Sequence, residues 1–156
     1  MTSGVEIAVD DPRAADVRSL LERHLAFAHE HTPPEDVHAL DLSGLLDVSV
    51  TFFSARRGPE LVAIGALKEL DDRHGELKSM HTAAAERGRG VGRAMVDHLV
   101  GVARQRGYRR VSLETGTMAA FAPARSLYAR VGFMPCGPFG DYRPSPNSAF
   151  MTLPLS

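Results

Sequence analysis

Three arginines and three glycines interleave in Arg87-Gly88-Arg89-Gly90-Val91-Gly92-Arg93, and an apolar pattern of helical period follows directly. Such a run can cradle a phosphate. Glycine permits positive φ and lets an anion reach backbone N–H groups with no Cβ in the way. The helix behind it aims free N-terminal N–H groups and the positive end of its dipole at the same point. Positive side chains in a helix's first turn are unfavourable unless an anion is near, so the arginines favour a ligand over a merely solvated helix start. Spacing excludes two known cradles. A P-loop needs Gly-Lys-Ser/Thr where this chain has Gly92-Arg93-Ala94, and a dinucleotide fingerprint starting at Gly88 needs glycine at position 93, which is Arg93.

The spacing that fits, Arg-x-x-Gly-x-Gly from Arg87 to Gly92, resembles the acyl-CoA pyrophosphate loop of the GNAT superfamily of N-acetyltransferases. The resemblance implies acetyl-CoA as cosubstrate. It implies that the strand before the loop splays from the next one and offers the backbone of Met80, His81 and Thr82 to the pantetheine arm, as an added strand would. The pyrophosphate would rest on the amides of Arg89, Gly90, Val91 and Gly92 beyond the turn at Gly88, with Arg87 and Arg93 adding charge-assisted contacts.

Acyl transfer to an amine needs a free lone pair, and an alkyl ammonium is deprotonated in only about one molecule in 2,500 at pH 7. A base or a desolvating pocket is required. Glu76 stands at the same offset before Arg87 as the catalytic glutamate of the histone-acetylating members, which makes it one candidate; a solvated glutamate beside a hairpin turn is the alternative. His81 competes for the role, or offers only its backbone to the cosubstrate. The departing thiolate needs an acid. Tyr128, within Leu127-Tyr128-Ala129-Arg130-Val131-Gly132-Phe133, resembles the family's Leu-Tyr-x-x-x-Gly-Phe pattern and its usual acid, against the reading of a tyrosine that only packs the core. Phe121 departs from the pattern, because many members carry an asparagine there that contacts the cosubstrate arm. Leu113-Glu114-Thr115-Gly116, together with the run Cys136-Gly137-Pro138-Phe139-Gly140-Asp141-Tyr142, is similar to a bacterial GNAT subgroup.

Other residues carry less. His29, His31 and His38 are read as loop residues facing the substrate, since no cysteine joins them and their spacing fits no common zinc pattern. Cys136 reads as a small filler, because transfer straight from a thioester needs no protein nucleophile. Acidic Glu35, Asp36, Asp41 and Asp141 favour a cationic acceptor, or simply make a soluble surface.

Positioning these residues requires a definite order of elements. Val5, Ile7 and Val9 alternate as a strand, and Asp10 or Asp11 reads as the cap of a helix with Pro12 in its first turn. Val17, Leu20, Leu21, His24, Leu25 and Ala28 share a face of that helix. The stretch from His31 to Leu46 stays open between a short helix and a packed loop. Strands follow from about residue 48, over 61–67 and over about 76–82, forming an antiparallel meander into the glycine loop. Val91, Ala94, Met95, Leu99, Val102 and Ala103 line one face of the next helix, which ends near Gly107. A strand at Val111 and Leu113, a helix from Pro123 closed by Gly132, and strands near 133–136 and 148–153 complete the chain.

This order resembles the GNAT fold throughout, an α+β class with a mostly antiparallel sheet of about seven strands flanked by helices. All 156 residues form one domain. A single cysteine, no long apolar run and no signal pattern predict a cytoplasmic protein away from any membrane. The formal net charge of −1 argues against nucleic acid as a partner. The expected activity is acetyl transfer from acetyl-CoA to a primary amine, small-molecule or peptide, by direct attack and without a metal. A catalytically silent acyl-CoA-binding module is the alternative, a nucleotide- or RNA-binding domain a weaker one, and a homodimer is compatible with the fold's open strand edges.

Overall fold

The computed structural model describes residues 4–155. Seven strands form one sheet: β1 (Val5–Val9), β2 (Val50–Arg57), β3 (Glu60–Asp71), β4 (His74–Thr82), β5 (Arg110–Gly116), β6 (Met134–Cys136) and β7 (Ser148–Pro154). Their spatial order is β1-β2-β3-β4-β5-β7-β6. Every neighbouring pair is antiparallel except β4 and β5, which run parallel because a helix crosses over between them. The expected mixed α+β architecture is therefore the one observed.

Helices cover both faces. α1 (Ala15–His31) and α2 (Leu42–Leu45) pack Val17, Leu20, Leu21 and Leu45 against Phe52, Ile64 and Ala66. α3 (Val91–Gln105) and α4 (Ala122–Val131) cover the other face with Met95, Val96, Leu99, Val100 and Tyr128 against Phe53, Val62, Leu67, Leu77 and Leu113. Residues of β3 point into both layers, which is why its centre reads as an unbroken apolar run rather than an alternation.

Several boundaries differ from expectation. α1 starts at Ala15 with Ala14 in the capping position and Pro12 in the preceding turn. Asp10 does not cap it, because its carboxylate is drawn sideways to the Ser54 hydroxyl at 2.6 Å and to Arg56 at 3.1 Å. His29 and His31 lie in the last turn of α1, not in a loop. Asp41 caps α2, accepting from the Gly44 amide at 2.9 Å. Val48 precedes β2 and is fully exposed.

Two irregularities of β4 shape the sheet at its centre. It pairs with β5 only over His74–Glu76, opposite Arg110–Ser112, so its backbone from Leu77 onward splays away from β5. On its other side, Ala66 faces Lys78 and Ile64 faces His81, so Ser79 and Met80 together oppose the single residue Gly65. This is a β-bulge, and Ser79 takes φ of 56° within it, the one left-handed non-glycine among the described residues. The extra residue breaks the period of two. Glu76 and Lys78 point to one side of the sheet, while Met80 turns toward α3, and a Cβ at Gly65 opposite would stand 2.8 Å from the Met80 sulfur and 3.0 Å from the Met95 side chain.

Candidate functional site

The glycine loop closes into a cradle. Gly88 and Gly90 hold φ of 78° and 84°, and Gly90 occupies the capping position of α3 with no side-chain cap. The first-turn amides of α3 are thus left for an outside acceptor. A Cβ at Gly92 would stand 3.4 Å from both the Leu127 side chain and the Thr82 hydroxyl, at the edge of ordinary contact. Arg93 leans on Asp97 at 3.2 Å and Arg89 on the buried Glu86 at 3.6 Å, while Glu86 is also held by Arg57 at 2.6 Å. Arg87 has no carboxylate partner among the described residues.

A cavity of about 600 Å³ runs from this cradle through the splay between β4 and β5. Of the residues singled out by sequence, Glu76, Met80, His81, Thr82, Arg87, Gly88, Gly90, Val91, Gly92, Arg93 and Tyr128 all line it. Arg89 does not. Phe121, where the family's asparagine was missed, lines it too; its ring packs on Phe27 at 5.3 Å and so close to Gly116 that no Cβ would fit. The free volume and polar rim suit a long acyl carrier: a phosphate end rich in open amides, then a strand edge without a strand partner.

At the far end Glu76 is buried, not a solvated residue beside the turn. Lys78 donates to its Oε2 at 3.3 Å and to the Tyr142 hydroxyl at 2.8 Å, and that hydroxyl donates in turn to the same Glu76 oxygen. Burial, then the Glu76 charge, pushes the Tyr142 phenol well above its usual range, so it stays a donor. Tyr142 stacks edge-on with His38 at 4.9 Å, and Asn147 bonds Asp36 at 3.0 Å, closing the loop 137–147 onto the segment after α1. Glu114 enters the same space from β5. Burial lifts its carboxyl to about 7; the Ser148 hydroxyl and Lys78 oppose the rise, and Glu76 and Asp36 add to it.

Along the α1 wall, His81 and His24 approach Nδ1 to Nδ1 at 3.2 Å, one donating to the other. Burial takes both imidazoles down to about 4, aided by each other's proximity at His24 and by Arg87 and Arg23 at His81. They are neutral at neutral pH. Tyr128 lies on the opposite, α4 side, packed edge-on against Phe133 at 5.8 Å, and burial raises its phenol to about 12. Cys136 is a half-buried thiol away from the cavity, also raised by burial.

The sequence alone assigns no role to Glu114, Lys78 or Tyr142. A charged residue alternating with Val111 and Leu113 in a strand bounded on both sides was a readable signal for Glu114. Tyr142 had none, since only the folded loop brings it over Glu76.

Comparison with known proteins agrees with this geometry. The family model described as the acetyltransferase (GNAT) family matches residues 14–133. The uncharacterized N-acetyltransferase YsnE of Bacillus subtilis is 49% identical over 151 residues, covering 97% of this chain and 100% of that protein. Among solved structures, a protein of Klebsiella pneumoniae described as a candidate acyl-CoA N-acyltransferase superposes with TM-score 0.82 at 29% identity, covering 97% and 98% of the two chains. A GNAT acetyltransferase of Elizabethkingia anophelis, solved with acetyl-CoA bound, shares the fold at TM-score 0.72 and 17% identity, covering 99% and 100%. The match of loop, splayed strands and family model along most of the chain means that it belongs to the GNAT family of acetyltransferases, whose acyl donor is acetyl-CoA.

Proposed function

We propose that the protein transfers the acetyl group of acetyl-CoA to a primary amine by direct attack in a ternary complex. The observation that carries this reading is the cavity that joins the phosphate cradle to a partly buried, mostly acidic end containing Glu76, Glu114 and Asp36. Carboxylates outnumber the one lysine there, which favours an acceptor that arrives as an ammonium ion. The closure of loop 137–147 over this end favours a small acceptor over a protein surface.

Glu76, His81 and Glu114 are the groups that could take the amine proton. His81, with its imidazole down near 4 and engaged by His24, is a poor base at neutral pH and serves as wall and backbone edge beside Met80 and Thr82. One oxygen of Glu76 is occupied by Lys78 and Tyr142, so this carboxylate holds the end of the pocket together. Glu114 titrates near neutrality, where a general base works best, and is our assignment. Tyr128 donates to the departing sulfur. Its phenol is protonated at every working pH, and the same desolvation that strengthens its hold on the proton also raises the proton affinity of the thiolate it serves.

Release of free CoA thiol from acetyl-CoA, measured across amines, diamines, amino acids and peptides, tests the reaction. Amine-dependent release with a matching acetamide product supports it, and its absence across the panel overturns it. For the base, kcat/KM should fall with pH along a limb centred near 7, and Glu114→Gln should erase that limb with roughly a 10²-fold loss. Erasure by Glu76→Gln instead would move the role to Glu76.

A further inference from the structure

Lys78 stands among carboxylates at the acceptor end, and proton transfer through Glu114 and Tyr128 gives it no task. Its side chain lines the cavity and is 9% exposed. An ion pair this buried seldom repays the desolvation of its charges, so a partnership with Glu76 does not by itself explain a lysine in the pocket wall. The ammonium has three N–H donors. One goes to Glu76 at 3.3 Å and one to the Tyr142 hydroxyl at 2.8 Å, and the third has no partner among the described residues.

His38 lines the same end, edge-on to Tyr142 at 4.9 Å. No described side chain hydrogen-bonds its ring. Burial, then the Lys78 ammonium, holds the imidazole below its ordinary value against the charges of Asp36 and Glu76, so at neutral pH it is uncharged with one N–H to give. Two open donors therefore stand beside two carboxylates, Glu114 and Asp36. The Lys78 charge acts on both His38 and Glu114, and so does the Asp36 charge, which puts all four groups in one small space. A diamine would bring its second ammonium against Lys78, and a plain amine would leave both donors without an acceptor. A carboxylate next to an ammonium answers both signs.

We propose that the acceptor is a free α-amino acid, its carboxylate held by the Lys78 ammonium and the His38 ring N–H while its amine faces Glu114. This names the acceptor class for the direct-transfer reading above and rests on it. The α position follows from the closeness of the four groups, since one carbon then carries both the amine and the carboxylate. An ω-amino acid or a peptide sets its two charges several bonds apart. Glu114 and Asp36 supply the negative potential that meets the arriving ammonium.

The test measures CoA thiol release for matched sets: an α-amino acid, its carboxamide, the amine left when the carboxylate is removed, and a dipeptide. The parent should favour the acid over the carboxamide by about 10–10²-fold in kcat/KM, the scale for hydrogen bonds to a charged group. The carboxamide's amine sheds its proton more readily, so this preference cannot come from the nucleophile. Lys78→Met should abolish the preference, Lys78→Arg should keep most of it, and His38→Ala should cut it several-fold. A second readout needs no turnover. Calorimetry on the parent saturated with CoA should show the amino acid binding and the carboxamide not, and His38→Ala should weaken the acid's binding. A parent that acetylates the carboxamide, the simple amine or the dipeptide as well as the acid overturns the proposal. So does a preference that survives Lys78→Met, or, should that variant fail to fold, one that His38→Ala leaves unchanged. A parent that binds the amino acid through its carboxylate yet acetylates no amine leaves this site standing and sinks the direct-transfer reading instead.

Discussion

Tyr128 illustrates how much one side chain's role depends on its surroundings. Its ring fills the layer under α4 against Phe133, while its edge reaches the cavity. Tyr128→Phe should therefore leave stability and CoA affinity close to parental and lower kcat by roughly 10²-fold or more, the loss expected for removing a proton donor. Steady-state kinetics with calorimetric CoA titration checks both halves, and an unchanged kcat would leave the residue as packing. Residues of this kind were legible in the sequence because a local motif, Leu-Tyr-x-x-x-Gly-Phe, carries them. Glu114 and Tyr142 were not, since their chemistry comes from groups distant in sequence: Glu76 and Lys78 on another strand, and the burial that lifts Glu114 to about 7. The bulge at Ser79 was hidden for the same reason, as only the pairing of β4 with β3 creates it.

At the level of elements, the glycine loop and α3 were readable because backbone freedom and helical periodicity are local properties. The loop's function then depends on what surrounds it. Gly92 sits where a Cβ would just touch Leu127 and Thr82, so Gly92→Ala is near the limit of ordinary contact and Gly92→Val exceeds it inside the cradle. Gly92→Val should fold but lose the rise in Tm that acetyl-CoA gives the parent, because a ligand stabilises a fold only by binding it. Thermal melts at several acetyl-CoA concentrations decide this, and a parental shift would mean that the phosphates lie elsewhere. The splay of β4 from β5 was anticipated only through family resemblance. Its physical cause, pairing restricted to His74–Glu76, lies in long-range register that no local pattern encodes. The start of α1 was not legible for a related reason, since Asp10 gives its carboxylate to Ser54 and Arg56 of β2 and Asp11 gives its own to Arg13, which leaves Ala14 in the capping position.

The whole molecule packs α1 and α2 on one sheet face and α3 and α4 on the other, and it opens its cavity where the sheet splits between β4 and β5. That opening buries ionisable groups whose titration links the site to global stability. His24 and His81 are held near 4 in the fold against an unfolded value of 6.5. Between those values the unfolded chain takes up protons the folded one refuses, so these histidines make stability fall as pH drops from about 6.5 toward 4. Glu114 acts in the opposite sense. Its folded value of about 7 exceeds the unfolded 4.5, so the fold holds a proton the unfolded chain releases, and this group lowers stability as pH rises through that window. Two histidines outweigh one glutamate, each group contributing at most about 1.4 kcal/mol per pH unit. The parent's Tm should therefore decline on acidification from pH 6.5 to 4.5. Glu114→Gln should steepen the decline by removing the opposing group, and His24→Gln should flatten it. Melts of the three proteins across that range provide the check, and a parent Tm that holds or rises toward pH 4.5 would show that the His24–His81 pair is not held neutral by the fold.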